Sequence, residues 1–147
     1  METEKDNLIL IRKGVKPTAN RILVLRALLS AARPVSLSEL EDMLLTMDRS
    51  SIFRVLNCFL AHHVTHALED GSGIMKFEVC TGEWACSVDD MHTHFYCEIC
   101  QQTFCFKEIH VPLITLPEGF VLNSINYMVK GICPECARKL AVRRHEI

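Results

Sequence analysis

Four cysteines fall into two spaced pairs, Cys97-Glu-Ile-Cys100 and Cys133-Pro-Glu-Cys136. A C-x-x-C turn points two thiolates at one place, and two such turns complete a tetrahedron of sulfur, a donor set that suits zinc. The stretch between the pairs is longer than in a compact zinc ribbon, so the two knuckles must hold a folded segment between them. A closed four-sulfur site has no open position and is expected to serve folding rather than catalysis. A thioredoxin-like dithiol would need only one pair, set on a βαβ unit.

A second set lies beside the first. In His92-Thr-His94 the histidines alternate, so on a strand both imidazoles share a face. Glu78 ends an earlier strand candidate, and Cys105 lies five residues beyond Cys100. This mixture of nitrogen, oxygen and sulfur could bind a second metal drawn from both sides of a hinge. Equally, the histidines could be surface residues and Cys105 a buried apolar one.

These residues need elements to position them. Thr18 can cap a helix from Ala19 to Ala32, with Ile22, Leu25, Leu28 and Leu29 on one side, ended by Pro34. Ser36 with Glu39 forms a capping box for a helix carrying Leu37, Leu40, Met43 and Leu44. Asp48 can cap a third helix, from Arg49 to about His62. It has an apolar stripe of Ile52, Val55, Leu56, Phe59 and Leu60. Ser50, Arg54, Asn57 and Ala61 lie opposite, with Phe53 at the boundary. Two helices joined by a tight turn, the second presenting small polar residues and an arginine, form a helix-turn-helix pattern. Val64 to Glu69 and Ile74 to Val79 read as strands around Asp70-Gly-Ser-Gly73, which adds a wing. Beyond a turn-rich stretch, His94 to Cys97, Thr103 to Phe106 and Ser124 to Val129 are strand candidates. The segment after Val111 is helical or irregular, and a basic helix runs from Ala137 to Arg144. The expected fold is α+β. A winged helix-turn-helix domain (1–80) is followed by a hinge (81–91) and a small α/β dimerisation domain (92–147) stapled by the cysteine site.

The 147-residue chain, 49% hydrophobic and 23% charged, suits one or two small globular units. The opening Met1 to Asn7 is acidic and polar, and no run of about 18 apolar residues occurs. A cytoplasmic protein with reduced thiols is therefore expected, without membrane segments. The net charge of −2 does not advertise a nucleic-acid binder. Its distribution does more, because no acid lies between Asp6 and Glu39 while Arg12, Lys13, Lys16, Arg21, Arg26 and Arg33 are all cationic. Such a local basic face can serve phosphate binding or simply be a solvated helix surface. A zinc deaminase would need an H-x-E pairing, which is absent from the chain.

In order and spacing, several segments together resemble the ferric-uptake-regulator family of metal-responsive repressors. They are Gly14-Val-Lys16-Pro-Thr18-Ala-Asn-Arg21, Ser51-Ile-Phe-Arg54-Val-Leu-Asn57, Lys76-Phe-Glu78, His92-Thr-His94-Phe-Tyr-Cys97-Glu-Ile-Cys100 and Gly131-Ile-Cys133-Pro-Glu-Cys136. The resemblance implies a homodimer binding double-stranded operator DNA, and no small-molecule substrate. It makes Arg49 to His62 the recognition helix. It marks Lys16, Arg21, Arg49, Ser50, Ser51, Phe53, Arg54 and Asn57 as the DNA-contacting set. Cys97, Cys100, Cys133 and Cys136 match the structural zinc knuckles, and Glu78, His92 and His94 match ligands of the regulatory site. The chain departs from the family at Met91 and Thr93, where histidine and aspartate are common, and at Cys105, where a carboxylate is usual. Arg33-Pro34 replaces a common histidine, and Phe53 replaces a tyrosine. Sulfur from Cys105, with Cys80 as a second candidate, favours zinc as the sensed metal, with ferrous iron as the alternative. A peroxide-sensing mode would use histidines and carboxylates instead. Cys58, Cys86 and His110 receive no role.

Overall fold

The computed structural model describes residues 1–80, 92–110, 112, 114–122, 125 and 127–145. The stretch 81–91, read from sequence as a hinge and containing Cys86, lies outside the described residues. Helix α1 (Glu2–Arg12) was not foreseen from its polar composition. Two residues one turn apart explain it. Leu10 is fully buried, and Asp6 is tucked against α2 (Ala19–Ala31), where its carboxylate accepts from Arg26 Nε at 2.7 Å.

Thr18 caps α2 as its sequence position implied, its hydroxyl oxygen accepting from the Arg21 amide at 3.4 Å. Ser36 has two roles. It closes the short strand β1 (Val35–Ser36) and caps α3 (Leu37–Met43), accepting from the Glu39 amide at 3.1 Å. Helix α4 (Arg49–Ala61) follows a tight turn, with Asp48 at its start. The Asp48 carboxylate makes no backbone cap bond and instead accepts from the Ser51 hydroxyl. The predicted stripe of α4 is inward, with Ile52, Val55, Leu56 and Phe59 buried against Val24, Leu25, Leu28 and Leu40. On α2, Val24 takes the inward place expected for Leu29, which is exposed.

Strands β2 (Thr65–Glu69) and β3 (Met75–Val79) form the wing, and β1 pairs with β3 to give the order β1-β3-β2. The second sheet has the order β5-β4-β6. Strand β4 (His92–Cys97) pairs antiparallel with β5 (Thr103–His110) and parallel with β6 (Met128–Gly131). Helix α5 (Pro134–His145) starts earlier than composition suggested, because proline suits the first helical position and brings Cys136 into the first turn.

The wing is fastened to the second sheet by a buried polar cluster. Lys76 Nζ lies 2.6 Å from Asp70 Oδ2 and donates to the Gln101 carbonyl at 2.9 Å and to Thr103 Oγ1 at 3.0 Å. The Thr103 hydroxyl in turn donates to Asp70 at 2.5 Å. Side-chain exposure is 4% for Lys76 and 0% for Asp70, so both charges depend on these partners. The wing turn itself comes close to β6. Gly71 has φ +90, a conformation that favours glycine, and a Cβ there would meet only the movable end of the Lys130 side chain, 2.3 Å from Nζ.

Candidate metal centres and nucleic-acid face

Cys97 ends β4, Cys100 lies in the following turn, Cys133 follows β6 and Cys136 sits in the first turn of α5. The parallel pairing of β4 with β6 brings the two knuckles together, and the Glu98 amide donates to the Gly131 carbonyl at 2.9 Å. The four Sγ atoms lie within 4.8 Å of one another, with Cys100 and Cys133 at 3.9 Å. Zinc–sulfur bonds of about 2.3 Å imply tetrahedral edges of about 3.8 Å, so the set fits a zinc ion.

The electrostatics agree with a cation-binding role. Burial raises the Cys97 thiol, but the amides of Cys100, Cys133 and Ile99 outweigh it and bring it down to about 6. Cys136 is pushed up to about 12 by burial and by its three sulfur neighbours. For Cys100 the Gln102 amide favours the thiolate, yet burial and the neighbouring thiols leave a net rise. Four thiolates cannot coexist here without a positive charge among them.

A second cluster joins the wing to the second sheet. Glu78 Oε1 lies 2.7 Å from His94 Nε2 and 2.6 Å from His66 Nε2, and the ligand atoms of all three lie within 4.8 Å of one another. Glu78 and His94 were singled out from sequence; His66 was not. His92 opens β4, but its side chain, like that of His110, lies outside the described residues. Cys105 is the direct partner of His94 across β4–β5, is half-buried with a reduced thiol, and lines a cavity of about 90 Å³ together with Glu78 and Arg33. Cys80, the second sulfur candidate, is buried and disulfide-bonded.

Burial alone would raise the Glu78 carboxyl, but the bonds and charges of His66 and His94 prevail and hold it down at about 2. A carboxylate depressed on folding stabilises the fold above its unfolded pKa, near 4.3, and loses that contribution as pH falls toward the folded value. The stability difference between the parent and Glu78→Gln, from urea unfolding, should therefore hold above about pH 5 and shrink between about 4.5 and 2. Acid loss of metal from the thiols is common to both proteins and cancels in the difference.

The candidate nucleic-acid face divides into open and occupied cations. On α4, Ser50, Phe53, Arg54 and Asn57 are exposed and Ser51 is half-buried. Arg49, Phe53 and Asn57 line an open groove of about 440 Å³ with Ile74 and Met75 of the wing. Arg49 is paired with Glu41 at 2.6 Å, which ties α4 to α3. Lys16 is exposed, and Arg21 donates to its carbonyl at 2.9 Å. Two members of the acid-free basic run are neutralised from outside it, Arg26 by Asp6 and Arg33 by Glu39 at 2.9 Å.

No protein-family profile matches the sequence, and no curated protein does. Solved structures do. A zinc uptake regulator complexed with zinc and DNA superposes with a TM-score of 0.65 at 18% identity, covering 95% of this chain and 93% of that one. The Vibrio cholerae ferric uptake regulator gives 0.60 at 20% identity, covering 86% and 98%. The Helicobacter pylori ferric uptake regulator, described as having three functional metal-binding sites, gives 0.59 at 19%, covering 92% and 91%. No helix among the described residues is long and apolar enough to cross a membrane. The chain has the winged-helix and α/β fold of the ferric and zinc uptake regulators.

Proposed function

We propose that the protein is a metal-dependent, DNA-binding transcriptional repressor of the ferric-uptake-regulator family, acting as a homodimer in metal-ion homeostasis. The observation that carries this reading is the contact of Glu78 with His94 at 2.7 Å, a ligand pair that joins the wing to the second sheet. Within this fold, an ion held there links the DNA-binding unit to the rest of the chain. The proposed regulatory set is Glu78, His92, His94 and Cys105, and the proposed structural zinc set is Cys97, Cys100, Cys133 and Cys136. A bound ion supplies positive charge and directional bonds that favour one orientation of the wing, and it can do so only by its differential affinity for that orientation. Sulfur from Cys105, which shares a cavity with Glu78, supports zinc as the sensed metal; ferrous iron is the alternative.

DNA is proposed to meet Lys16, Arg21, Arg49, Ser50, Ser51, Phe53, Arg54 and Asn57. Arg54 is the strongest single candidate. It is exposed on α4, and its one hydrogen bond among the described residues, to the Ser50 carbonyl, is long at 3.4 Å and easily exchanged for a phosphate or base edge. The test is titration of Arg54→Ala with zinc present, on selected and random duplexes at several salt concentrations. Loss of a base contact should lower affinity for the selected duplex alone by about 1–3 kcal/mol. Loss of a phosphate contact should weaken both duplexes and reduce the salt slope by about one. Parental affinity on both duplexes would remove Arg54 from the interface.

A further inference from the structure

We propose that Glu41 is a built-in competitor of DNA: its carboxylate occupies Arg49 in the place of a backbone phosphate and so sets how tightly the protein holds any duplex. The inference rests on the DNA-binding reading above and adds to it a residue outside the proposed contact set.

Among the described residues, three arginines pair with carboxylates, and the pairs differ in their surroundings. Asp6, whose side chain is 10% exposed, lies between α1 and α2, so its pair with Arg26 packs one helix on the other. Arg33, held by Glu39, lines the small cavity with Glu78 and Cys105. Of the three, only Arg49 lines the groove shared by α4 and the wing, together with Phe53, Asn57, Ile74 and Met75.

Stability does not account for this third pair. Arg49 is the first residue of α4, where the helix dipole disfavours a cation. The two side chains are 56% and 35% exposed, and a pair so open to water adds little to folding. Arg49 Nη1 reaches two side chains of α3, Glu41 Oε2 at 2.6 Å and Ser38 Oγ at 3.4 Å. A carboxylate offers a guanidinium the same charged oxygen acceptors as a phosphate, so the two are exchangeable partners.

A duplex entering the groove meets an arginine that is already engaged. Either Arg49 leaves Glu41 for a phosphate, and a bare carboxylate then faces the polyanion, or it stays and the contact is not made. Both outcomes lower affinity, and both do so on every sequence, because phosphates carry no sequence information. Sequence-independent affinity is common to the metal-bound and metal-free protein. Holding it down keeps the metal-free protein off DNA.

The test is titration of the full-length, zinc-loaded protein on selected and random duplexes at several salt concentrations. Glu41→Gln should bind both duplexes about three- to fivefold more tightly than the parent. Its salt slope should be steeper by up to about one, and its urea midpoint should be parental. Two comparisons separate release of Arg49 from a general change of charge. Asp42→Asn removes the same charge from the next position of α3, where the carboxylate is exposed and has no ion pair among the described residues; it should gain less. In an Arg49→Gln background, Glu41→Gln should gain no more than Asp42→Asn does. If Glu41→Gln binds with parental affinity, or gains as much without Arg49 as with it, this inference is overturned while the DNA-binding reading stands. If the parent binds neither duplex with zinc present, the DNA-binding reading fails and this inference fails with it.

Discussion

Replacing Cys133 with serine should unfold the second sheet and leave the winged helix standing. Among the described residues, the buried cluster around the knuckles consists of Cys97, Cys133 and Cys136, with only Phe95 and Phe104 packed against it. That is too little apolar surface to hold three strands and a helix together. A structural zinc contributes about 10–16 kcal/mol of apparent binding energy, which is folding energy when the site forms only on folding. Without one sulfur, the remaining buried thiols repel one another as they ionise, the crowding that already pushes Cys136 up to about 12. The winged helix has its own core, centred on Leu25, Leu40, Ile52, Leu56 and Phe59. Amide spectra of Cys133→Ser should thus keep dispersed signals for α2 to α4 and lose them for β4 to β6. Metal analysis should show the zinc gone. Cys58→Ser is the control, since Cys58 lies on α4 against the first core and should leave zinc content unchanged. Parental zinc content and thermal midpoint in Cys133→Ser would show that the four sulfurs are not the staple.

The second large effect is expected at the buried ion pair. Asp70→Leu leaves the Lys76 ammonium, whose side chain is 4% exposed, with the Gln101 carbonyl and the Thr103 hydroxyl but no counter-charge among the described residues. Removing one partner of a buried pair costs about 3–5 kcal/mol. Lys76→Met should cost a similar amount, because it strands Asp70, whose carboxyl is held far below its usual range: burial would raise it, but the bonds from Lys76, Ser72 and Thr103 prevail. The double variant Asp70→Leu with Lys76→Met removes both charges and should recover most of the loss, since apolar replacements of buried pairs are often neutral or stabilising. Denaturant unfolding of the four proteins measures the coupling. Additive losses in the double variant would mean that the two charges do not depend on each other. Because Thr103 and Gln101 belong to the second sheet side of this cluster, both single variants should also loosen the wing from that sheet, visible as faster amide exchange in β2 and β3.

The helices α2 to α4 were legible because their signals are local. Thr18 and Ser36 are caps in sequence and in structure, and the stripe from Ile52 to Phe59 needed only a 3.6-residue period. The four-sulfur centre was legible because two C-x-x-C turns carry their own geometry. Helix α1 was missed because Asp6 looks like a surface residue until Arg26, twenty residues away, is brought beside it. The Asp70–Lys76 cluster was hidden for the same reason, its third partner, Thr103, being contributed by another sheet. His66 was recoverable. A turn centred on Ser72 pairs residues whose numbers sum to 144, which sets Thr65 opposite Val79 and His66 opposite Glu78. Reading the wing as two strands without working out its register left that pairing unseen. The disulfide at Cys80 ran against the expectation of reduced thiols, and nothing in the local spacing distinguished it from the metal-binding cysteines.

The central claim is that metal controls sequence-specific DNA binding. Selection of duplexes from a random library by zinc-loaded protein, repeated after removal of the more weakly held metal with a mild chelator, tests it most directly. The account predicts enrichment of a two-fold symmetric site by the zinc-loaded protein. It also predicts loss of that enrichment after chelation, with the four-sulfur zinc and the fold retained, and recovery on adding zinc back. Enrichment of the same site with and without the chelated metal would contradict the account, as would no enrichment in any metal state.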